Sequence, residues 1–214
     1  MTENYDFPSG MIAQSGTQDE YYQFIDKNYF NVCKNAKVLE IGAQVGHHTR
    51  LLLEQSPQYV ECIEPDHECA NKLKTVPGIG KVIEDDAWLC IKQQNLFDVV
   101  VCFGVLYHHH SSLQLLEQIV NYNKPKYILL DNVKVYSLTV STEPVNTPGD
   151  RQVDVNWKHA GVNIGVPFDT INQALYNMGY KLKQVDDLEY NWVPKSNSWV
   201  ALWESMENTN ELAY

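Results

Sequence analysis

Residues 37–46 read Lys37-Val-Leu-Glu-Ile-Gly-Ala-Gln-Val-Gly46. A short apolar run closed by a glycine is the pattern of a buried strand entering a turn. His47 to Gln55, with Leu51, Leu52 and Leu53 apolar, has helical character and stops before Ser56-Pro57. Strand, glycine-bearing turn and helix together form the unit of a doubly wound sheet, which binds ligands at the carboxyl ends of its strands. Gly42 lets the backbone turn sharply there, and Gly46 opens the helix N-terminus to a ligand. The stretch is not a dinucleotide fingerprint, because the second and third glycines of G-x-G-x-x-G would fall on Gln44 and His47.

The alternation continues on both sides of this stretch. Upstream, Tyr21, Phe24, Ile25 and Tyr29 make one apolar stripe of a helix over 18–32. Downstream, Tyr59–Ile63, Lys81–Glu84, Phe97–Phe103 and Tyr127–Leu130 read as buried strands. Helices are expected from Asp66 to about Leu73 and, capped by Ser111 or Ser112, through Val120 with Leu113, Leu116, Ile119 and Val120 inward. Residues 132–166 are polar and carry Pro144, Pro148-Gly149, Gly161 and Gly165, which marks a long excursion. Phe168 to Met178 is expected to be a helix with Gly179 just past its end. Tyr180–Val185 and Ser198–Trp203 then read as two closing strands.

The fold expected is a single α/β domain. It is a doubly wound, Rossmann-like, seven-stranded and mostly parallel sheet, with a closing antiparallel hairpin and helices on both faces. Residues 1–35 would be a helical lid, 36–131 the cofactor-binding half, 132–166 a substrate-side excursion, and 167–204 the closing helix and hairpin.

Composition narrows the class. With 214 residues, 44% apolar and 20% charged, the chain is neither disordered nor fibrous. Sixteen basic residues against 27 acidic ones give a net charge of −11, and only Arg50 and Arg151 are arginines. Such a field repels phosphate backbones, which excludes non-specific nucleic-acid binding and favours a small-molecule acceptor over RNA. One local patch could still hold a specific RNA. The start of the sequence is polar and acidic, unlike a signal peptide, and no apolar run is long enough to span a membrane. Five cysteines without a C-x-x-C pair are expected to be free, with Cys62 and Cys102 acting as small hydrophobes inside strands. A cytoplasmic setting follows.

Acids recur at the strand ends. Glu64 closes the second strand, where a carboxylate can accept hydrogen bonds from ribose hydroxyls, and Asp85-Asp86-Ala87 closes the third, where an acid can meet an adenine amino group. Each alone reads as a solvated acid or a helix cap. In succession they point to an adenosine without a pyrophosphate.

The order of Glu40-Ile-Gly-Ala-Gln-Val-Gly46, Glu64, Asp86-Ala87 and Phe97-Asp-Val-Val-Val-Cys102 resembles the motifs of class I S-adenosylmethionine-dependent methyltransferases, over about residues 35 to 203. Gln44 stands where most members have glycine. The resemblance implies S-adenosylmethionine as cofactor. Glu40, Gly42, Ala43, Gln44 and Gly46 would surround its methionine part, Glu64 and Pro65 its ribose, and Asp85, Asp86 and Ala87 its adenine. Phe103 and Gly104 would follow the fourth strand on the methyl side.

Phe103-Gly-Val-Leu-Tyr-His-His-His-Ser111 carries three consecutive histidines. Adjacent residues in a turn rarely converge on one ion, and no Cys/His spacing supports a metal, so none is expected. His109 and His110 read as surface or capping residues. Tyr107 and His108 are the expected catalytic pair, contacting the acceptor or removing a proton from its oxygen or nitrogen. Asp131-Asn132, Trp157, Trp192 and the aromatic N-terminal helix are candidates for the acceptor side.

Gly104-Val-Leu-Tyr-His108, with Pro148-Gly-Asp-Arg151 and Pro167, is similar to one branch of the family, the carboxymethyltransferase of the transfer-RNA wobble uridine. Tyr107 matches the tyrosine that helps hold the carboxylated cofactor there. That enzyme also has an N-terminal extension supplying a lysine and an arginine at the start of its final strand. Here about 35 residues precede the first strand, and Asn197-Ser198-Trp199 replaces the arginine. A buried carboxylate without its cation costs about 3–5 kcal/mol. Plain methyl transfer is therefore expected ahead of carboxymethyl transfer, with a non-catalytic cofactor-binding module as the rival from another class.

Overall fold

The structure is a computed structural model that describes residues 17–91, 96–109, 111–133, 139–141, 163–189 and 197–208. Its main sheet begins with β1 (Lys37–Ile41), β2 (Tyr59–Ile63), β3 (Lys81–Ile83), β4 (Val99–Cys102) and β5 (Tyr127–Val133), all parallel. Two short strands, β6 (Thr139–Ser141) and β7 (Asn163–Gly165), pair with each other outside it. The hairpin β8 (Tyr180–Glu189) and β9 (Asn197–Ser205) returns to the sheet, β9 antiparallel to β5. The order across the sheet is β3-β2-β1-β4-β5-β9-β8, seven strands with the direction of winding reversing between β1 and β4. This is the Rossmann-like mixed sheet expected from the sequence.

Among the described residues, six helices cover it: α1 (Thr17–Tyr29), α2 (His47–Glu54), α3 (His67–Leu73), α4 (Ala87–Cys90), α5 (Ser112–Asn123) and α6 (Phe168–Asn177). The central strands are apolar at nearly every position because each face meets its own core. Leu39, Ile41, Val100 and Leu130 pack with Leu115, Leu116 and Ile119 of α5 and Ile171 and Leu175 of α6. Val38, Val60, Val99 and Val101 pack on the other face with Ile25 and Tyr29 of α1, Leu52 of α2 and Leu73 of α3. Each such side chain contributes about 1.5–3 kcal/mol of burial. All five cysteines are free thiols, four of them buried.

Several elements depart from the sequence reading. Leu113 faces solvent at 38% exposure, and Leu115 takes its place in the inner stripe of α5. Ser111 occupies the N-cap without a side-chain bond, while the Ser112 hydroxyl donates backwards to the Leu106 and His109 carbonyls. Phe97 and Phe103 flank β4 without belonging to it. The excursion holds β6 and β7, which its polar composition concealed, and α4 begins where the third strand was expected to end. Arg151, Trp157, Trp192 and His110 lie outside the described residues.

Candidate functional site

The reversal between β1 and β4 opens a crevice at the carboxyl ends of these strands, where a doubly wound sheet binds its ligand. A cavity of about 100 Å³ lies there, lined by Gly42, Ala43 and Gln44 after β1, Phe103 and Gly104 after β4, and Asp131 on β5. Tyr22 of α1 and His47 and His48 at the start of α2 complete it.

The loop after β1 is shaped by three left-handed residues, Gly42 at φ 75°, Gln44 at 49° and Gly46 at 88°. A Cβ on Gly42 would stand 2.2 Å from Val105 Cγ2, so glycine is required for the close approach of the two loops. At Gly46 the space is filled by the chain itself. A Cβ there would meet Leu73 Cδ2 at 2.9 Å and Arg50 Nη1 at 3.1 Å, with Arg50 donating to the Val45 and Gly46 carbonyls. Glycine at this position therefore also makes room for Leu73 and Arg50.

Glu64 is the clasp of the site. Its Oε2 accepts the Gln44 N–H at 2.7 Å and its Oε1 the Asp66 N–H at 2.9 Å, joining the ends of β1 and β2. Burial pushes its carboxyl above the ordinary range although both backbone bonds pull the other way. A carboxylate offers about four acceptor positions, so two remain for hydroxyl donors. Pro65 follows it, half-buried. Asp86 caps α4 by accepting the Trp88 N–H at 2.8 Å, Asp85 accepts the Asp86 N–H, and Ala87 is buried.

Glu40 is buried behind the loop, accepting from the Thr49 hydroxyl at 2.6 Å, and is raised from 4.5 to about 7, chiefly by burial. It braces the first turn of α2 and is not among the cavity-lining residues. Tyr107 and His108 sit on a single 3-10 turn, Leu106–His108, with rings 4.1 Å apart. The Tyr107 hydroxyl lies 3.6 Å from where a Cβ on Gly104 would stand, and neither Tyr107 nor His108 is among the cavity-lining residues. His109 is buried against Trp88, ring centroids 5.1 Å apart, and its Nδ1 accepts the Ser111 N–H. Among the described residues no cluster of His, Cys, Asp or Glu is arranged to hold a metal.

Sequence reading missed the histidine wall. His47 and His48 stand directly after Gly46, and Tyr22 packs on both at 5.7 and 5.1 Å. Phe103 meets His48 edge-on at 5.1 Å and stacks on Phe30. Burial, with Arg50 adding to it, lowers His47; burial, with His47 adding to it, lowers His48 to about 3. Both imidazoles are neutral at pH 7. Position after the second loop glycine was the one available signal. Asp131 and Asn132 separate: Asp131 lines the cavity, whereas Asn132 is buried beside its cross-strand partner Trp199.

These residues fit S-adenosylmethionine. A sulfonium suits aromatic walls beside a carboxylate, and Glu64 retains acceptor capacity for hydroxyls. A family model described as a methyltransferase domain matches residues 15–152, more than half of the chain. A search by sequence among curated proteins found no match. The fold is similar to that of a Listeria monocytogenes protein described as an S-adenosylmethionine-dependent methyltransferase, at 13% identity and TM-score 0.67, covering 87% of this chain and 99% of that one. It is also similar to magnesium protoporphyrin IX methyltransferase from Synechocystis PCC 6803 with bound S-adenosylmethionine, at 12% identity and TM-score 0.58, over 87% and 77% of the two chains. A third likeness is the N-terminal domain of EvdMO1 with bound S-adenosylhomocysteine, at 18% identity and TM-score 0.64, over 90% and 82%. With a methyltransferase-domain match over all five parallel strands and this fold around the crevice, the chain belongs to the S-adenosylmethionine-dependent methyltransferases.

Proposed function

We propose that the protein transfers a methyl group from S-adenosylmethionine to an oxygen or nitrogen of a small-molecule acceptor. The observation that carries this reading is the Glu64 clasp, which ties the loop after β1 to the end of β2 beside the cavity. In this reading Glu64 and Pro65 take the ribose, and Asp85, Asp86 and Ala87 border the adenine. Glu40, Gly42, Ala43, Gln44 and Gly46 form and brace the loop around the methionine part, with Phe103 and Gly104 beyond it. Bound there, S-adenosylmethionine supplies an electrophilic methyl on sulfur. The chain's own work is orientation and exclusion of water, which can be worth about 7–11 kcal/mol. Tyr107 and His108, on the turn that follows the cavity-lining Gly104, would supply a hydroxyl and an imidazole to orient the acceptor and receive its proton. Helix α1 serves as the lid through Tyr22.

No lysine or arginine is among the described cavity-lining residues, which supports methyl over carboxymethyl transfer, because an added carboxylate would face Asp131 uncompensated. The net charge of −11 supports a small molecule over RNA. Free thiols agree with a cytoplasmic setting. Calorimetric titration with S-adenosylmethionine, S-adenosylhomocysteine and the carboxylated cofactor tests the reading. The first two are expected to bind, and the third at least about tenfold more weakly. Binding of the carboxylated form alone would overturn methyl transfer.

A further inference from the structure

Two acids beside the loop after β1 are buried without a cation. Glu40 is 3% exposed, with the Thr49 hydroxyl at 2.6 Å and the Cys62 thiol at 3.8 Å. Glu64 is equally buried and accepts two backbone N–H groups, and it is close enough to add to the rise at Glu40. No lysine or arginine is paired with either acid among the described residues. Arg50, the one cation of α2, donates to the Val45 and Gly46 carbonyls.

The other groups around Glu40 bring no positive charge. Cys33, on the turn Phe30–Cys33, and Cys62 of β2 are thiols pushed up by burial and by Glu40, so both keep their protons. On α2, Thr49 offers a hydroxyl, and burial lowers His47 and His48 into their neutral forms. Tyr29 of α1 gives its hydroxyl to Asp186, and β4 places Val101 opposite Glu40. A buried acid in such surroundings either holds a proton or waits for a cation. S-adenosylmethionine brings one on its sulfur, and S-adenosylhomocysteine does not.

From this arrangement we propose that Glu40 is an exchangeable counter-charge. It holds a proton in the ligand-free enzyme, releases it to solvent when the sulfonium binds, and takes one back once transfer has left the sulfur neutral. The inference rests on the previous section's placing of the cofactor along the loop of Gly42 to Gly46. Charge balances over a turnover: one proton leaves as the sulfonium enters, and one returns as its charge departs with the methyl. Glu40 thus acts through the loop, without touching the ligand, to favour charged cofactor over neutral product.

Titration calorimetry of the full chain at about pH 6.5, in phosphate and in Tris, counts these protons. S-adenosylmethionine is expected to release about half a proton more than S-adenosylhomocysteine, for a charge that lowers Glu40 from about 7 to roughly 6. Between about pH 6 and 8 the preference for S-adenosylmethionine should rise about fivefold, since the cation binds the ionised form better. Glu40→Gln keeps an acceptor for the Thr49 hydroxyl and should lose both the extra release and this rise. The ligands' own amino groups titrate alike with both proteins, so the difference between wild type and variant belongs to Glu40. The wild type alone gives a second reading: the infrared band of a protonated carboxyl should fade with S-adenosylmethionine and persist with S-adenosylhomocysteine. Equal proton release with both ligands, a release that survives in Glu40→Gln, or a band unchanged by either ligand would overturn the counter-charge. The cofactor reading would then stand, with Glu40 only bracing α2. If neither ligand binds, the cofactor reading itself fails and the counter-charge falls with it.

Discussion

Gln44 holds φ at 49°, a left-handed conformation that costs an L-residue about 1–2 kcal/mol. Its N–H serves Glu64, and a glycine would keep that bond. Gln44→Gly, after the entropy it adds to the unfolded chain, is expected to stabilise by about 0.5–1 kcal/mol, read as a higher denaturant midpoint at unchanged slope. Gly42→Ala should act in the opposite sense, by about 3 kcal/mol, because its Cβ would strike Val105 Cγ2 at 2.2 Å. Adding Val105→Ala should recover the steric part of that loss but not the part due to φ. Glu40 makes stability depend on pH. Its folded value of about 7 lies above its ordinary 4.5, so the folded state holds this proton more tightly than the unfolded state does. The stabilisation is complete below about pH 4.5 and is lost as pH rises through 7, at most about 3 kcal/mol. Glu40→Gln should flatten that fall in a series of denaturant titrations between pH 4.5 and 8, and an unchanged slope would contradict the assignment.

At the scale of elements, helix α1 and the closing helix give the clearest tests. The Tyr29 hydroxyl of α1 donates to Asp186 Oδ2 of β8 at 2.5 Å, with the Val200 carbonyl oxygen 3.1 Å away. Tyr29→Phe leaves the buried ring and removes the bond, and should cost about 1–3 kcal/mol with faster amide exchange in α1. Gly179 follows α6 at φ 89°, and nothing lies within 4 Å of the Cβ it lacks. Gly179→Ala should therefore cost about 1 kcal/mol of backbone strain alone. The same scale shows what could be read beforehand. β1 and β2 run over the residues their apolar stretches mark, since parallel strands covered on both faces must be apolar throughout. Leu113 and Leu115 were confused because each completes a helical stripe with Leu116, and only packing fixes the phase of α5. β6 and β7 are three residues each in a polar segment, too short to show a period. Glu64 was legible as an acid at a strand end. The Tyr22–His47–His48 wall was not, because it forms only when α1 folds onto α2 from 25 residues away in sequence.

For the whole molecule, a net charge of −11 spread over 214 residues makes a repulsive surface for phosphate chains. Arbitrary-sequence RNA is expected to show no measurable binding in a filter assay at physiological salt, and salt-sensitive retention would contradict the preference for a small acceptor. No helix among the described residues is long and apolar enough to cross a membrane. The sheet order, the reversal between β1 and β4 and the loop held by Glu64 combine into one claim, that this crevice is the cofactor site. A crystal structure of the full chain grown with S-adenosylhomocysteine tests that claim most directly. Density is expected with the ribose on Glu64, the adenine beside Asp86 and Ala87, and the methionine part along the loop of Gly42 to Gly46. Density bound elsewhere, or an empty crevice at saturating ligand, would contradict it.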